Sequence, residues 1–156
     1  MLKLKPLNIL GLSIVALLCG IGIFAYLFQQ QSEVLEDKEK AKQTAVLFFN
    51  AVSVGDSTSA HRYIWSSQQS QINSHERFRV FKNAQIIEVL SVDYTSAKSR
   101  PIYYQQFDKI ISLKINMDIA QSDDAGRPSG HTILFVNLVQ QDPNPQWWIT
   151  EIGTGP

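Results

Sequence analysis

Cysteine is almost absent from this chain of 156 residues, and the one cysteine, Cys19, lies in an uncharged stretch near the N-terminus. The rest of the chain therefore has no disulfide and no thiol nucleophile, and it must fold on its hydrophobic core alone. No Asn-x-Ser/Thr sequence occurs either, so nothing indicates N-glycosylation.

An excess of charge of either sign is also lacking. The chain has 14 Lys and Arg residues against 14 Asp and Glu residues, for a net charge of zero. Nucleic-acid-binding proteins usually carry a basic surplus, so we expect no nucleic-acid partner. Basic and aromatic residues interleave over 75–82, and we interpret them as a solvated amphipathic helix rather than a nucleic-acid or lipid patch.

Motifs for metal binding and catalysis are missing as well. The three histidines, His61, His75 and His131, show no metal-ligand spacing. Asp123 and Asp124 lack the alternating oxygen ligands of a calcium loop, so we interpret them as part of a polar turn. No phosphate-binding glycine loop and no nucleophile elbow occurs. We therefore predict no metal, no cofactor and no catalytic residue.

The longest apolar run covers residues 7–28, which are 22 residues without a charge, preceded by Lys3 and Lys5. At about 1.5 Å per residue such a helix is about 33 Å long, enough to cross the roughly 30 Å core of a bilayer. The run predicts a single-pass transmembrane anchor, with the lipid bilayer as a partner. A cleaved signal peptide and a lipoprotein signal acylated at Cys19 are the alternatives. Both are disfavoured by the length of the run and its lack of suitably placed small residues.

Basic residues before this run predict its orientation, because Lys and Arg stay on the cytoplasmic side. We expect a cytoplasmic tail over 1–6 and an extracytoplasmic domain over 33–156, held at the cell membrane. Lysines also follow the run, at Lys38, Lys40 and Lys42, and these argue against that orientation.

Helical periodicity dominates the first part of the remaining chain. Residues 33–54 are predicted as a helix because they contain an apolar stripe with helical spacing, and Gly55 is a suitable C-terminal stop after it. Asp56 or Ser57 can cap a second short helix through about Trp65. A third helix is predicted around 72–82, although its apolar pattern is irregular. The stripe of the first helix consists of Ala41, Ala45, Phe48, Phe49 and Val52.

The period then changes to two. Residues 111–119 alternate apolar and polar side chains, which is typical of a strand with one buried face. Residues 86–94, 131–139 and 147–152 are predicted as three further strands. Short connections favour antiparallel neighbours, so the chain is predicted to be α+β, with about three helices packed on a mostly antiparallel, four-stranded sheet.

These elements resemble a known superfamily. A first helix ending in Phe48-Phe49-x-Ala51 leads into Gly55-Asp56 and a second helix with Ala60 and Tyr63, and the last strand carries Trp147-Trp148. The pattern resembles the nuclear transport factor 2-like superfamily, also described as cystatin-like, including uncharacterised membrane-anchored bacterial members. The resemblance covers roughly residues 33–156. It implies a cone-shaped domain with a curved sheet and a pocket between its helices and the sheet.

Residues that could line such a pocket are hydrophobic or neutral. Asn137 faces the core if Ile133, Phe135 and Val139 do, and a buried amide needs hydrogen-bond partners. The ionisable candidates Asp93, Asp118 and His131 are expected at strand ends or on the polar face. The pocket-lining candidates are Tyr63, Phe135, Asn137 and Trp148.

Function is predicted from these features as a binding or assembly module without catalytic activity, for a protein partner or a small apolar ligand. Outward rings from the pairs Tyr103-Tyr104 and Trp147-Trp148 could anchor a partner. Two alternatives stay open. One is an envelope assembly component of the secretion or conjugation type, and the other is an isomerase or cyclase that uses the cone pocket.

Overall fold

The computed structural model describes residues 6–68, 78, 80–97, 100–120 and 130–154, with the backbone alone for 6–15 and 96. The described part is α+β, as predicted. Short 3₁₀ helices occur at Ser66–Gln68 and Ile102–Gln106. The main elements are α1 (Pro6–Ser53), α2 (Ser57–His61), β1 (Gln85–Ser96), β2 (Lys109–Ile119), β3 (Gly130–Gln141) and β4 (Asn144–Gly153).

The chain divides into two compact units, Met1–Glu36 and Asp37–Pro156. In the first unit, the side chains that the structure describes are exposed apart from that of Val34, which is half-buried. The large apolar residues among them include Leu17, Phe24 and Phe28.

Among the described residues, no helix combines the length and the apolar composition that crossing a membrane requires. The predicted transmembrane anchor over 7–28 is therefore wrong, and so is the single-pass location with a cytoplasmic N-terminus and an extracytoplasmic domain.

The second unit is built around a sheet with the strand order β1-β2-β3-β4, in which every neighbouring pair is antiparallel. This confirms the predicted four-stranded antiparallel sheet. On β2, Ile111, Leu113, Ile115, Met117 and Ile119 are fully buried. These side chains define the inner face of the sheet, and the residues between them point to the outer face.

The C-terminal part of α1 packs on this inner face. The predicted stripe is confirmed, because its five residues are all buried in the same apolar cluster as the five inner-face residues of β2. From β3 the cluster takes Leu134, Val136 and Leu138. The hypothesis that Ile133, Phe135 and Val139 face this core is therefore wrong, since strand alternation places them on the outer face.

The turn after α1 fixes the start of α2. Gly55 has a φ of 81°, a left-handed conformation that glycine adopts without steric cost. The Gly55 amide donates to the Val52 carbonyl at 3.0 Å, and the Asp56 amide donates to the Ala51 carbonyl at 2.9 Å. This pair of bonds is a Schellman motif. Asp56 then caps α2 as predicted, with its carboxylate accepting from the Ser59 amide at 3.0 Å.

The predicted set of three helices is not found, because the named elements of the described part include two α-helices. Within the expected third helix, Phe78 and Val80 are described and both are helical. The expected third helix, over 72–82, falls largely on residues outside the described part. α2 is also shorter than expected. Its chain turns away at Arg62 because the next residues bond to the edge of β4: the Trp65 amide donates to the Ile149 carbonyl at 2.9 Å, and the Ile149 amide donates to the Tyr63 carbonyl at 2.7 Å.

Candidate binding surface on the outer face of the sheet

A row of polar side chains crosses the outer face of the sheet. Ser112 on β2 pairs in register with Asn137 on β3, which pairs with Glu151 on β4. Ser112 Oγ donates to Asn137 Oδ1 at 2.7 Å, and Asn137 Nδ2 donates to Glu151 Oε2 at 2.9 Å. We call these three residues the polar row. Their donors all point from β2 towards β4, so the hydrogen bonds polarise one another in the same direction.

The β1–β2 connection, residues 97–108, contributes two further side chains that hydrogen-bond to the polar row. Arg100 Nη2 donates to Ser112 Oγ at 3.1 Å and to Thr95 Oγ1 at 3.4 Å. Tyr104 Oη donates to Glu151 Oε2 at 2.8 Å and accepts from Asn137 Nδ2 at 3.2 Å. The polar row therefore has the Arg100 guanidinium bound at its Ser112 end and the Glu151 carboxylate at its other end.

The tyrosine in this network is held in its protonated form. Burial raises the pKa of Tyr104, and its hydrogen bond to the Glu151 carboxylate and the negative charge of that carboxylate raise the pKa further. A tyrosinate here would face the carboxylate without the hydroxyl proton between them. Tyr104 is therefore a hydrogen-bond donor at neutral pH and is poorly suited to act as a base.

A second apolar cluster holds the β1–β2 connection against the outer face. Ile110 and Val139 of the sheet are buried in one cluster with Ala97 and Phe107 of the connection. Trp65, Tyr104 and Trp148 pack around them. The Trp65 ring lies edge-on to both Phe107 and Trp148, with ring centroids 5.1 and 5.2 Å apart.

The surface beside this cluster combines exposed apolar groups with fixed charges. Ile102 is 85% exposed, and the neighbouring Tyr103 ring is partly exposed. Tyr103 is held in place by a hydrogen bond of 2.9 Å from Gln68 Nε2 to its hydroxyl oxygen. At the far end of the polar row the Arg100 Nε atom is buried without a hydrogen-bond partner. Ile102, Tyr103, Arg100 and the polar row form the candidate surface.

The four pocket-lining candidates do not meet at one place in the structure. Phe135, Asn137 and Trp148 share the outer face, where Lys114 Nζ lies 5.9 Å from the centroid of the Phe135 ring. Tyr63 instead packs against the inner-face cluster. Asn137 has the polar partners that its position required, but it finds them in the polar row.

The other ionisable candidates make no hydrogen bond to the polar row among the described residues, or lie outside the described part. Asp118 and His131 are exposed at the same end of the sheet, where they pair in register. Asp93 is exposed and pairs with Ser112 from the β1 side. Among the described residues no group of three or more His, Cys, Asp or Glu side chains could hold a metal ion. His75, Asp123 and Asp124 lie outside those residues.

Sequence reasoning missed Arg100, Tyr104 and Glu151 as members of one site. The available signal was a pair of apolar doublets, Ile110-Ile111 and Leu138-Val139, which break the alternation at the same end of two paired strands. Such doublets indicate that both faces of the sheet are covered there.

Comparisons with models of protein families, with curated proteins and with solved structures each found no match. The resemblance to the nuclear transport factor 2-like superfamily therefore stays a prediction.

Proposed function

We propose that residues 37–156 form a non-catalytic binding domain that docks a protein partner on the outer face of its sheet. The observation that carries this proposal is the combination of Ile102, 85% exposed, with the hydrogen-bonded charges of Arg100 and Glu151 beside it. Protein interfaces are typically anchored by apolar and aromatic side chains, with Tyr and Arg enriched among the residues that contribute most.

The anchors of this surface are already ordered. The rings of Tyr103 and Tyr104 lie edge-on to each other at 5.2 Å, and Tyr103 also contacts Phe107 at 6.0 Å. A partner therefore meets side chains whose rotamers are already restricted, which lowers the entropy lost on binding.

We expect the charges of Arg100 and Glu151 to set the orientation in which the partner docks. Arg100 and Glu151 lie at opposite ends of the polar row, and Ser112 and Glu151 are two strand spacings apart, about 10 Å. Two opposite charges held beyond opposite ends of this span favour a partner with the complementary arrangement and repel one that docks in reverse.

An enzymatic function is less well supported. An isomerase or cyclase needs an ionisable group that faces an apolar pocket and exchanges protons with a substrate. Among the described residues the buried carboxylate is that of Asp37, and its Oδ2 atom lies 2.7 Å from Lys109 Nζ. This carboxylate is thus already paired with an ammonium group of the same chain.

Site-specific photo-crosslinking in the cells that produce the full chain tests this proposal. The photoreactive residue p-benzoylphenylalanine replaces Ile102 in one variant and Val54 in a matched control, since Val54 is a similarly exposed aliphatic residue, at 78%, on a different part of the unit. We expect one dominant heterologous adduct from position 102 and none of the same mass from position 54.

The adduct must also depend on the polar row. Adding Glu151→Gln or Arg100→Gln to the position-102 variant should weaken it several-fold, because each change removes one end of the charge pattern. Adducts of equal yield from both positions, or an adduct from position 102 that is indifferent to both changes, contradict the proposal.

A further inference from the structure

Large apolar side chains of α1 are exposed in the first unit of the chain. Five of them are more than half exposed and fall at alternating intervals of four and three residues, with Gln31 counted between the last two. We call these five residues and Gln31 the seam of α1. Its average spacing of about 3.5 residues is the one that keeps a row on one face when two helices coil around each other. The five apolar members are Leu17, Ile21, Phe24, Phe28 and Leu35.

Leu35 distinguishes this seam from other rows that a long apolar run allows. The chain becomes polar after Phe28, over residues 29–33. Leu35 is nevertheless 69% exposed, and it lies seven residues after Phe28, on the same face of the helix. In the sequence the spacing also extends back through Ile14, Leu10 and Leu7, so the pattern covers about four heptads, a length typical of coiled coils.

The positions that flank the seam are uncharged. In a heptad frame with Leu17 at d and Ile21 at a, the charged residues within 16–36 are Glu33 and Glu36, at f and b. These two positions point away from the seam. Two copies of this face can therefore approach without like charges meeting. The flanking e and g positions hold Leu18, Gly20, Ala25, Leu27, Ser32 and Val34.

We propose that α1 forms a parallel, two-stranded coiled coil with α1 of a second copy of the chain along this seam. Each seam residue then packs beside the same residue of the second copy, so the two Gln31 side chains meet. A polar pair at a single core position fixes the register of a coiled coil. An antiparallel pair of the same segments would instead place each Gln31 against Ile21 and leave its amide without a polar partner.

The apolar surface of the seam is sufficient for a specific interface. A large, mostly exposed apolar side chain loses on the order of 100 Å² of accessible surface when it is buried. Five such side chains from each copy remove about 1,000 Å² from water, which reaches the lower limit for specific interfaces. Leu18 and Leu27, which flank the seam and are both more than half exposed, add to this area.

Disulfide crosslinking in the full chain tests the geometry. Cys19 is exposed and falls at f, away from the seam, and Cys19→Ser supplies the background. Gln31→Cys places a thiol in the seam, and Gln30→Cys, also at an exposed position, places one at c on the outer side. Paired seam positions lie within disulfide distance in a parallel coiled coil, so position 31 should crosslink at least about tenfold faster than position 30.

Three outcomes of the crosslinking experiment overturn the inference. Equal rates from positions 30 and 31 would indicate random collision. Crosslinks that form between Gln31→Cys and Ile21→Cys chains, but within neither variant alone, would show an antiparallel pair. In the producing cells, a Gln31→Cys crosslink to another protein in place of the second copy would assign the seam to that protein.

Sedimentation equilibrium of the full chain tests the contribution of the seam. Ile21 and Ile23 are matched, at 58% and 61% exposed, but Ile21 lies in the seam and Ile23 lies at c. Ile21→Glu places like charges opposite each other and should raise the dimer Kd at least about tenfold. Ile23→Glu should change the dimer Kd by less than about threefold.

Both substitutions are at exposed positions, so neither removes a buried contact of the fold. A chain that is monomeric at every concentration, or a dimer Kd that both changes raise equally, overturns the inference. The outer-face proposal is tested separately, because crosslinking from position 102 should persist in Ile21→Glu.

Discussion

Lys109 Nζ lies 2.7 Å from Asp37 Oδ2, and this ion pair joins the first residue of β2 to a buried position on α1. A buried pair costs desolvation when it forms, but breaking it by removing one partner leaves a charge without compensation. The pair therefore ties the register of α1 to the start of β2.

Replacing one member of this pair should be costly. Asp37→Ala is expected to lower the free energy of unfolding by about 3 kcal/mol, measured by urea denaturation, because it removes a buried carboxylate that Lys109 contacts at 2.7 Å. The exposed pair of Glu39 and Lys42, 3.8 Å apart, supplies the control, and Glu39→Ala should cost about 0.5 kcal/mol or less. If Asp37→Leu/Lys109→Met is no more stable than Asp37→Ala, the loss of this ion pair is not the cause.

Asn137, at the centre of the polar row, should contribute more to stability than an asparagine elsewhere on the outer face. Asn137→Ala removes the acceptor for Ser112 Oγ and the donor for Glu151 Oε2. We expect a loss of about 2 kcal/mol in unfolding free energy, because partly buried polar groups lose their partners. Asn116→Ala, on the same face and also half-buried, is the matched control and should change stability by less than about 0.5 kcal/mol. Equal losses in the two variants would show that the row adds nothing specific.

The hydroxyl of Tyr104 should make the fold sensitive to alkali. Its pKa is raised above the ordinary value of 10.0 in the folded state, so the folded chain holds this proton more tightly than the unfolded chain. The resulting stability is complete below pH 10 and is lost as the pH rises through the folded-state pKa. Urea midpoints measured from about pH 8 to about pH 11 should fall less steeply for Tyr104→Phe than for the unmodified chain.

Glu151→Gln provides the check on that interpretation. After burial, the hydrogen bond to Glu151 and its negative charge are what raise the pKa of Tyr104. In the Glu151→Gln background, Tyr104→Phe should therefore have a smaller effect on the alkaline slope. An undiminished effect would assign the shift to burial alone.

The turn between α1 and α2 should resist substitution for a backbone reason. Gly55 has a φ of 81°, and a Cβ built on it meets no atom within 4 Å. The cost of Gly55→Ala is therefore conformational rather than steric, and we expect about 1 kcal/mol by urea denaturation. Gly55→Asn should cost less than Gly55→Ala, because asparagine tolerates this region of backbone space better. The reverse order would mean that the Schellman geometry does not set the cost.

Local patterns predicted the sheet and the packing helix well. The alternation over 111–119 is confirmed because one face of β2 is fully buried, and the stripe of α1 is confirmed because it covers that face. Capping by Asp56 is likewise a local effect. The sequence contains each of these signals within a few residues of where the structure uses them.

The outer-face site could not be predicted in the same way. Arg100, Asn137 and Glu151 meet only through strand register, and Tyr104 reaches them from a connection without a periodic pattern. In the sequence Asn137 is an amide among apolar neighbours, but the pattern does not show on which face of the sheet it lies. The reason is that Ile110 and Val139 stand next to core residues, so both faces of those two strands are apolar at this end.

The residues after α2 that bond to Ile149 have a consequence for assembly. A sheet with two bare margins can recruit neighbours on either side and grow into a filament. In the described part of this chain, Tyr63 and Trp65 occupy the β4 margin at Ile149, so a further strand cannot pair with the sheet at that point.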